Sequence, residues 1–247
     1  MRKNLLVVFS LLSLLIVVLT PAQSFADSER TTGKTEGHGP CATSGNADYQ
    51  KQGEKDSESI CYAIRSIGPD GGMVFYVDSS VNGFAEPGAT CNLHCHYLEA
   101  APTSTTLHNY WADVMAAWSR NTSTSIGNTS TSIGAGYSNT SSMIASGAGI
   151  SSAAFLARAY RGPNNKRDWF LPSKDELNQL WPLAKATVEG FVFDHYWSSS
   201  EYSVSDCNSD PQCWPGANIV WNLHFMTGAQ WVSSKDNTYY VRPVRAF

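Results

Sequence analysis

The stretch Pro172-Ser-Lys-Asp-Glu-Leu-Asn-Gln-Leu-Trp-Pro-Leu-Ala184 decides how the chain divides into helical and β-rich parts. Ser173 and Glu176 have the spacing of a capping box, in which each side chain accepts a hydrogen bond from the other residue's backbone N–H. An apolar stripe follows at Leu177, Leu180, Trp181 and Ala184, which is typical of a helix that packs on a core. We expect Pro182 to end or kink this helix, because proline has no N–H to donate.

The chain after this helix is β-rich. Strands are predicted at 196–198, at 219–226, around Trp231-Val232 and at 239–247. Alternation over 219–226 predicts two faces of one strand. The buried face is expected to hold Ile219, Trp221, Leu223 and Phe225, and the outward face Val220, Asn222, His224 and Met226.

The chain before this helix contains both kinds of element. A glycine-rich turn at 68–72 leads into a predicted strand at 73–77, and a second short strand is predicted at 96–100. Apolar spacing predicts helices over 107–118 and 151–161. Strands on both sides of a central region with two to three helices indicate an α+β domain rather than a parallel α/β sheet.

An identical seven-residue unit, Asn-Thr-Ser-Thr-Ser-Ile-Gly, occurs in tandem at 121–127 and 128–134. Two copies are too few for a solenoid, which needs about three or more stacked units. We therefore interpret this repeat as a duplicated surface loop.

The N-terminus has the layout of an export signal. Arg2 and Lys3 precede an apolar run from Leu5 to Thr20, and Ser24-Phe25-Ala26 forms a small-x-small cleavage site. The run is shorter than the about 20 apolar residues of a spanning helix, so we favour cleavage over a retained anchor. We expect a secreted or cell-envelope protein with no membrane span after cleavage. The expected segments are a signal peptide at 1–26, a flexible polar stalk at 27–58 and one domain at 59–247.

Charge and cysteine content narrow the possible partners and the compartment. The chain has 17 Lys and Arg against 21 Asp and Glu, and loss of the two basic signal residues lowers its net charge from −4 to −6. This charge argues against nucleic acid as a partner. All six cysteines follow the cleavage site, and an even number in an exported chain indicates disulfides, although sequence alone does not fix their pairing. Local spacing favours Cys91 with Cys95 and Cys207 with Cys213, which leaves Cys41 with Cys61.

The segment from Cys91 to His96 is the densest group of metal-competent side chains. Thiolates and imidazoles bind zinc, but in an oxidising compartment we favour a short disulfide loop. A metal-dependent enzyme built on this cluster is the alternative. The sequence contains no Gly-x-Ser-x-Gly or His-Glu-x-x-His motif, so we expect no nucleophilic role for Ser198 to Glu201 and no cofactor. We expect His195 to cap a strand edge.

Aromatic residues supply the candidate binding surface. The chain has eight Trp and 11 Tyr, and flat rings with a polar edge suit both sugars and protein surfaces. Trp214 is predicted in a Cys-Trp-Pro-Gly turn and Trp231 in the loop from Gly228 to Asn237, with Asn222 and His224 on the outward strand face as hydrogen-bonding neighbours. Ordinary packing under long loops is the alternative for these four residues.

Five blocks of the sequence, in this order, resemble a bacterial domain family. They are Gly68–Val77, Tyr97–Pro102, Asp168–Asn178, Tyr196–Tyr202 and Tyr240–Phe247. Together they look like the family named for the Legionella collagen-like protein C-terminal domain, from about residue 66 to the C-terminus. The resemblance implies a C-type-lectin-like fold, with a mixed antiparallel sheet, paired first and last strands, and long loops that carry the binding surface. It also implies an extracellular or envelope location and, in the name-giving member, adhesion to sulfated glycans.

The chain departs from that member because it has no collagen repeats and a negative net charge, which disfavours sulfated polyanions. Neither Glu-Pro-Asn nor Gln-Pro-Asp occurs, so we expect ligand binding to be independent of calcium. The sequence predicts a secreted or cell-surface adhesion-type module that binds glycan or another surface ligand through the loops between Ser200 and Asn237. A structural envelope protein with a protein partner is a further alternative.

Overall fold

The strands form two sheets. In the sequence, the helices lie between an N-terminal and a C-terminal group of strands. A computed structural model of the protein describes residues 62–103, 111–186, 190–207 and 216–247. The strands are β1 (Met73–Val77), β2 (Tyr97–Ala100), β3 (Val114–Ala117), β4 (His195–Glu201), β5 (Ile219–His224), β6 (Ala229–Ser234), β7 (Thr238–Val241) and β8 (Val244–Ala246). The helices are α1 (Gly136–Ala145), α2 (Ala153–Ala159) and α3 (Lys174–Ala186), and a 3₁₀ turn spans Val204–Cys207.

The strands are ordered β1-β2-β8 in one sheet and β3-β7-β4-β5-β6 in the other. Neighbours are antiparallel except β4 and β7, which pair in parallel. The predicted α+β class, with mostly antiparallel strands and two to three helices, is confirmed. The expected pairing of the first and last strands is wrong for β1 and β8. They share a sheet, but β2 lies between them, since it pairs with β1 along one edge and with β8 along the other.

Several local predictions are confirmed. Ser173 N donates to Glu176 Oε2 at 2.8 Å and Glu176 N donates to Ser173 Oγ at 3.3 Å, which is the predicted capping box. The strands predicted at 73–77 and 96–100 correspond to β1 and β2, and the helix predicted at 151–161 corresponds to α2. Pro182, however, does not end α3, which continues to Ala186. Proline removes a single backbone hydrogen bond, and buried leucines on both sides of it anchor the helix in the core.

The helix predicted over 107–118 is wrong at its C-terminal end, because residues 114–117 form the edge strand β3. The two tryptophans in this segment, Trp111 and Trp118, make hydrogen bonds to different strands. Trp111 Nε1 donates to a backbone carbonyl of β7 at 2.7 Å, and Trp118 Nε1 donates to a backbone carbonyl of β4 at 2.7 Å. Their spacing therefore reflects two tertiary hydrogen bonds and not one helical face.

The five-stranded sheet is covered on both faces along part of its length. One face packs on α3 and the three-stranded sheet, and the other packs on α1 and α2. Val220 and Asn222, predicted to face outward, are therefore buried with 0% and 1% exposure, whereas Ile219 and Trp221 are only half-buried. Alternation identifies which residues share a face, but it does not reveal that both faces of a central strand are covered.

Buried ion pairs lie at the C-terminal strands of both sheets. Arg242, which follows β7, is paired with Asp113. Arg245 on β8 donates to Glu99 on β2 at 3.1 Å and to Asp168 at 2.7 Å. Because both guanidinium groups are almost fully buried, separate parts of the sequence are held together at the C-terminal strands.

The two repeat copies lie mostly at the surface, but their backbones bind buried glutamates. In the first copy (residues 121–127), the N–H of Gly127 donates to Glu201 at 2.9 Å. In the second copy (residues 128–134), the equivalent N–H of Gly134 donates to Glu176 at 2.8 Å. Each copy is therefore a carboxylate-binding loop as well as a surface loop.

Candidate functional site

Three of the predicted ligand-binding residues, Asn222, His224 and Trp231, belong to one face of the five-stranded sheet. Asn222 is directly opposite Trp231 in the pair of β5 and β6. Opposite residues, and every second residue along a strand, project from the same face. Trp231 is 56% exposed and His224 is half-buried, so solvent reaches this end of the face. Trp214, the fourth predicted residue, lies outside the described residues.

His195, at the start of β4, completes this group. It is opposite His224 in the pair of β4 and β5, and the two ring centroids are 4.6 Å apart. Its ring also stacks on Tyr239 at 4.8 Å with an interplanar angle of 21°. We name the surface formed by His195, His224, Trp231 and Tyr239 the imidazole–tryptophan face. The sequence placed His195 at a strand end, but only the register of β4 against β5 brings it to His224.

Asn222 differs from its predicted role as a surface ligand, because it is buried beneath this face. Its Nδ2 donates to the carbonyl of Trp231 at 3.2 Å and to Ser233 Oγ at 2.9 Å. A carbonyl has no hydrogen to give, so the amide nitrogen must face it, and Oδ1 faces His195 Nδ1 at 2.6 Å. His195 therefore donates from Nδ1, and in the neutral ring Nε2 keeps its lone pair. Asn222 positions the imidazole rather than touching a ligand.

His224 and Asp194 lie next to His195 and are oriented by local hydrogen bonds. His224 Nδ1 is 3.0 Å from Thr227 Oγ1. Asp194 Oδ1 accepts the backbone N–H of His195 at 2.7 Å. One ligand-competent atom from each of Asp194, His195 and His224 lies within 4.8 Å of the other two. These three residues are thus candidates for holding a metal ion.

The cysteine cluster predicted at 91–96 contains a disulfide. Cys91 and Cys95 are joined, as the spacing predicts. The bond engages both sulfurs, so the alternative in which Cys91 and Cys95 bind a metal as thiolates is wrong. Cys207 is also disulfide-bonded. The remaining cysteines of the predicted pairs, Cys41, Cys61 and Cys213, lie outside the described residues.

The serine run before Glu201 is buried inside the sheet. Ser198, Ser199 and Ser200 are 0% exposed. Ser198 Oγ donates to the carbonyl of Trp221 at 2.9 Å, and Ser200 Oγ donates to the carbonyl of Ser130 at 2.8 Å. These hydroxyl groups connect β4 to its neighbours.

A cleft of about 240 Å³ lies between the first repeat copy and residues 201–203 and 216–217. Burial raises the pKa of Glu201, but Lys235 Nζ at 2.6 Å and the backbone amides of Ile126 and Gly127 outweigh burial and hold the pKa below its usual range. Ser125 Oγ donates to the same carboxylate at 2.8 Å. Because its oxygens already accept these bonds, Glu201 acts as a structural anchor of the cleft.

No protein-family model matches this chain, and no curated protein shows significant similarity to it. Among the residues that the structure describes, no helix combines the length and apolar character required to cross a membrane. A conclusion about function therefore depends on the chemistry of the site itself.

Proposed function

We propose that the protein is an extracytoplasmic binding module that recognises a glycan or another surface ligand through the imidazole–tryptophan face, without calcium. The observation that carries this proposal is the exposure of Trp231 beside a pair of histidines on a rigid sheet. A tryptophan that is 56% exposed offers an apolar ring face to the C–H groups of a sugar or to an apolar group of a protein.

The face combines an apolar platform with directional polar groups. Trp231 supplies the platform, and His195 and His224 supply ring nitrogens that hydrogen-bond to hydroxyl groups. Asn222 holds the His195 ring in one orientation, so little conformational entropy is lost when a ligand binds. A few polar groups beside an aromatic surface are typical of a specific ligand site.

The location outside the cytoplasm is proposed from the export signal predicted at 1–26. The Cys91–Cys95 disulfide supports it, because disulfides persist in oxidising compartments. The C-type-lectin-like fold is proposed from the family resemblance. The mostly antiparallel strands and the three helices of the described residues support this fold class, and the ligand is proposed from the site because a fold alone does not specify one.

A glycan array tests the proposal with the purified protein and the variant Trp231→Ala. We expect the wild type to bind a defined set of glycans in the presence of a calcium chelator. We expect Trp231→Ala to weaken binding by about 30-fold or more, because a central aromatic residue contributes about 2 kcal/mol or more to an interface.

Val232→Ala is the matched control. Val232 is the next residue on β6, it is 41% exposed, and it projects from the opposite face of the sheet. We expect this variant to bind like the wild type. An array without signal, or equal losses in both variants, would overturn glycan recognition at this face.

A further inference from the structure

We propose that Asp194, His195 and His224 form a binding site for a divalent transition-metal ion, with Zn²⁺ as its representative. The site is built on the paired ends of β4 and β5. Asp194 is anchored there because its carbonyl accepts the backbone N–H of Phe225 at 2.9 Å. Two neighbouring strands thus supply all three ligands, and their relative positions are set by the sheet.

The distances between the three side chains suit one ion. Their ligand-competent atoms lie within 4.8 Å of one another. Zinc with nitrogen and oxygen ligands at about 2.0–2.2 Å in tetrahedral geometry separates ligand atoms by about 3.3–3.6 Å. Because the Asp194 carboxylate lies at the surface, closing these distances around an ion requires rotation of a side chain and no movement of the sheet.

The strongest support for the metal site comes from the hydrogen bonds that the Nδ1 atoms of His195 and His224 make. Metal-bound histidines nearly always donate their second ring nitrogen to an oxygen acceptor, which fixes the tautomer and the ring orientation. His195 Nδ1 bonds to Asn222 Oδ1 at 2.6 Å, and His224 Nδ1 bonds to Thr227 Oγ1 at 3.0 Å. His195 therefore presents the lone pair of Nε2 to a ligand, and His224 does the same in the tautomer in which its Nδ1 donates to Thr227 Oγ1. The buried Asn222 makes this arrangement rigid for His195.

The donor set selects the class of metal. Two imidazoles and one carboxylate suit zinc, copper, nickel or iron(II), whereas calcium requires about six to eight oxygen ligands. Three protein ligands leave at least one coordination position for water or for an oxygen atom of a ligand. The metal site lies beside Trp231, but metal binding itself does not depend on the glycan recognition proposed above.

Isothermal titration of the purified, chelator-treated protein with ZnCl₂ tests this site in the absence of any glycan. We expect saturable zinc binding that His224→Ala weakens by about 100-fold or more, because loss of an outer hydrogen-bond partner alone weakens metal binding by about 10–100-fold. Thr227→Ala should weaken binding by about tenfold through the orientation of His224. CaCl₂ should give no binding heat.

Two further variants separate loss of a ligand from loss of the fold. Asp194→Asn changes one surface carboxylate and should weaken zinc binding while the far-ultraviolet circular dichroism spectrum stays that of the wild type. His94→Ala removes an exposed histidine of the Cys91–Cys95 loop and should leave zinc affinity unchanged. Zinc binding that survives both His224→Ala and Asp194→Asn would overturn the proposal, as would the absence of zinc binding in the wild type.

Discussion

The two repeat copies, residues 121–127 and 128–134, are identical in sequence but hold glutamates that have different side-chain partners. In both copies the N–H of the final glycine donates to the buried carboxylate, from Gly127 to Glu201 and from Gly134 to Glu176. The carbonyl of the fourth residue also accepts in both. In the first copy it accepts Lys235 Nζ, and in the second it accepts a backbone N–H at the start of α3. The backbone of the unit is used in the same way twice.

The charge of each glutamate is decided by a partner from elsewhere in the chain. Glu201 is ionised because Lys235 and the repeat amides hold its pKa below the usual range. Burial, reinforced by the neighbouring Glu176 carboxyl, raises the pKa of Glu86 to about 10. Burial also raises the pKa of Glu176. Glu86 therefore keeps a proton at neutral pH, beside the Glu176 carboxyl.

The repeat sequence specifies the backbone donors, and the residues around each copy specify the charge state of the nearby carboxyl groups. The repeat supplies amide donors at a fixed spacing, which suit any carboxylate. Lys235 beside the first copy then forms an ion pair with Glu201, whereas Glu86 beside Glu176 at the second copy keeps a proton. Three substitution experiments test this difference.

The largest effect is expected from Lys235→Met, which removes the cation of the first copy. Lys235 is 0% exposed, and its loss leaves the Glu201 carboxylate buried without a counter-ion. We expect the free energy of unfolding to fall by about 3–5 kcal/mol, as for other buried pairs that lose one partner. Urea denaturation at pH 7 measures this loss.

The double variant Lys235→Met, Glu201→Gln is the control for the uncompensated charge. A neutral amide still accepts the N–H groups of the repeat through its carbonyl oxygen, so we expect the double variant to be more stable than Lys235→Met alone. A double variant that is no more stable than the single one would contradict the assignment of an ion pair to the first copy.

The final glycines of the two copies should differ in their tolerance to alanine. Both have a positive φ, of 75° at Gly127 and 86° at Gly134, and alanine in this region costs about 1–2 kcal/mol. A Cβ at Gly127 meets nothing within 4 Å, whereas a Cβ at Gly134 would lie 2.0 Å from the carbonyl oxygen of Ala85. We therefore expect Gly134→Ala to lose about 1–3 kcal/mol more than Gly127→Ala in urea denaturation. Equal losses would show that the two copies are packed alike.

Elements with strong local signals were predictable from the sequence. The capping box at Ser173 and Glu176 marked the start of α3, and the β-branched and aromatic run at 73–77 marked β1. Helix α1 lacked such a signal, because its sequence is rich in Ser, Thr, Asn and Gly. It is held by tertiary contacts such as those of the buried Thr140. Its hydroxyl group donates to the backbone carbonyl of Leu171 and accepts a hydrogen bond from the backbone N–H of the same residue.

The candidate site was predictable only in part, for a related reason. Asn222, His224 and Trp231 could be selected from the sequence because they lie in or beside one predicted strand. His195 and Asp194 could not be added, because they are about 30 residues away and reach His224 only through strand register. The buried state of Asn222 was missed because alternation does not show which strand is central in the sheet.

The smallest effect, about 1 kcal/mol for each pH unit, is expected from Glu86→Gln at the second copy. The folded pKa of Glu86 lies above its unfolded value of 4.5. Its contribution to stability is therefore complete below about pH 4.5 and is lost as the pH rises toward about 10. Glutamine is neutral at every pH, so the stability of Glu86→Gln relative to the wild type should increase with rising pH, by at most about 1.4 kcal/mol per pH unit. Urea denaturation at pH 5.5, 6.5 and 7.5 measures this trend.

Glu201→Gln at the first copy is the matched control, and it should not gain stability relative to the wild type as the pH rises. The folded pKa of Glu201 is below its usual range, so the ionised carboxylate stabilises the fold above its unfolded pKa, and this contribution is lost only as the pH falls through the folded pKa. Glu201→Gln should therefore be less stable than the wild type at all three pH values, with a difference that shrinks on further acidification. If both variants gained stability relative to the wild type as the pH rose, Glu201 would be protonated in the folded protein like Glu86, and the difference between Lys235 and Glu86 would have no electrostatic consequence.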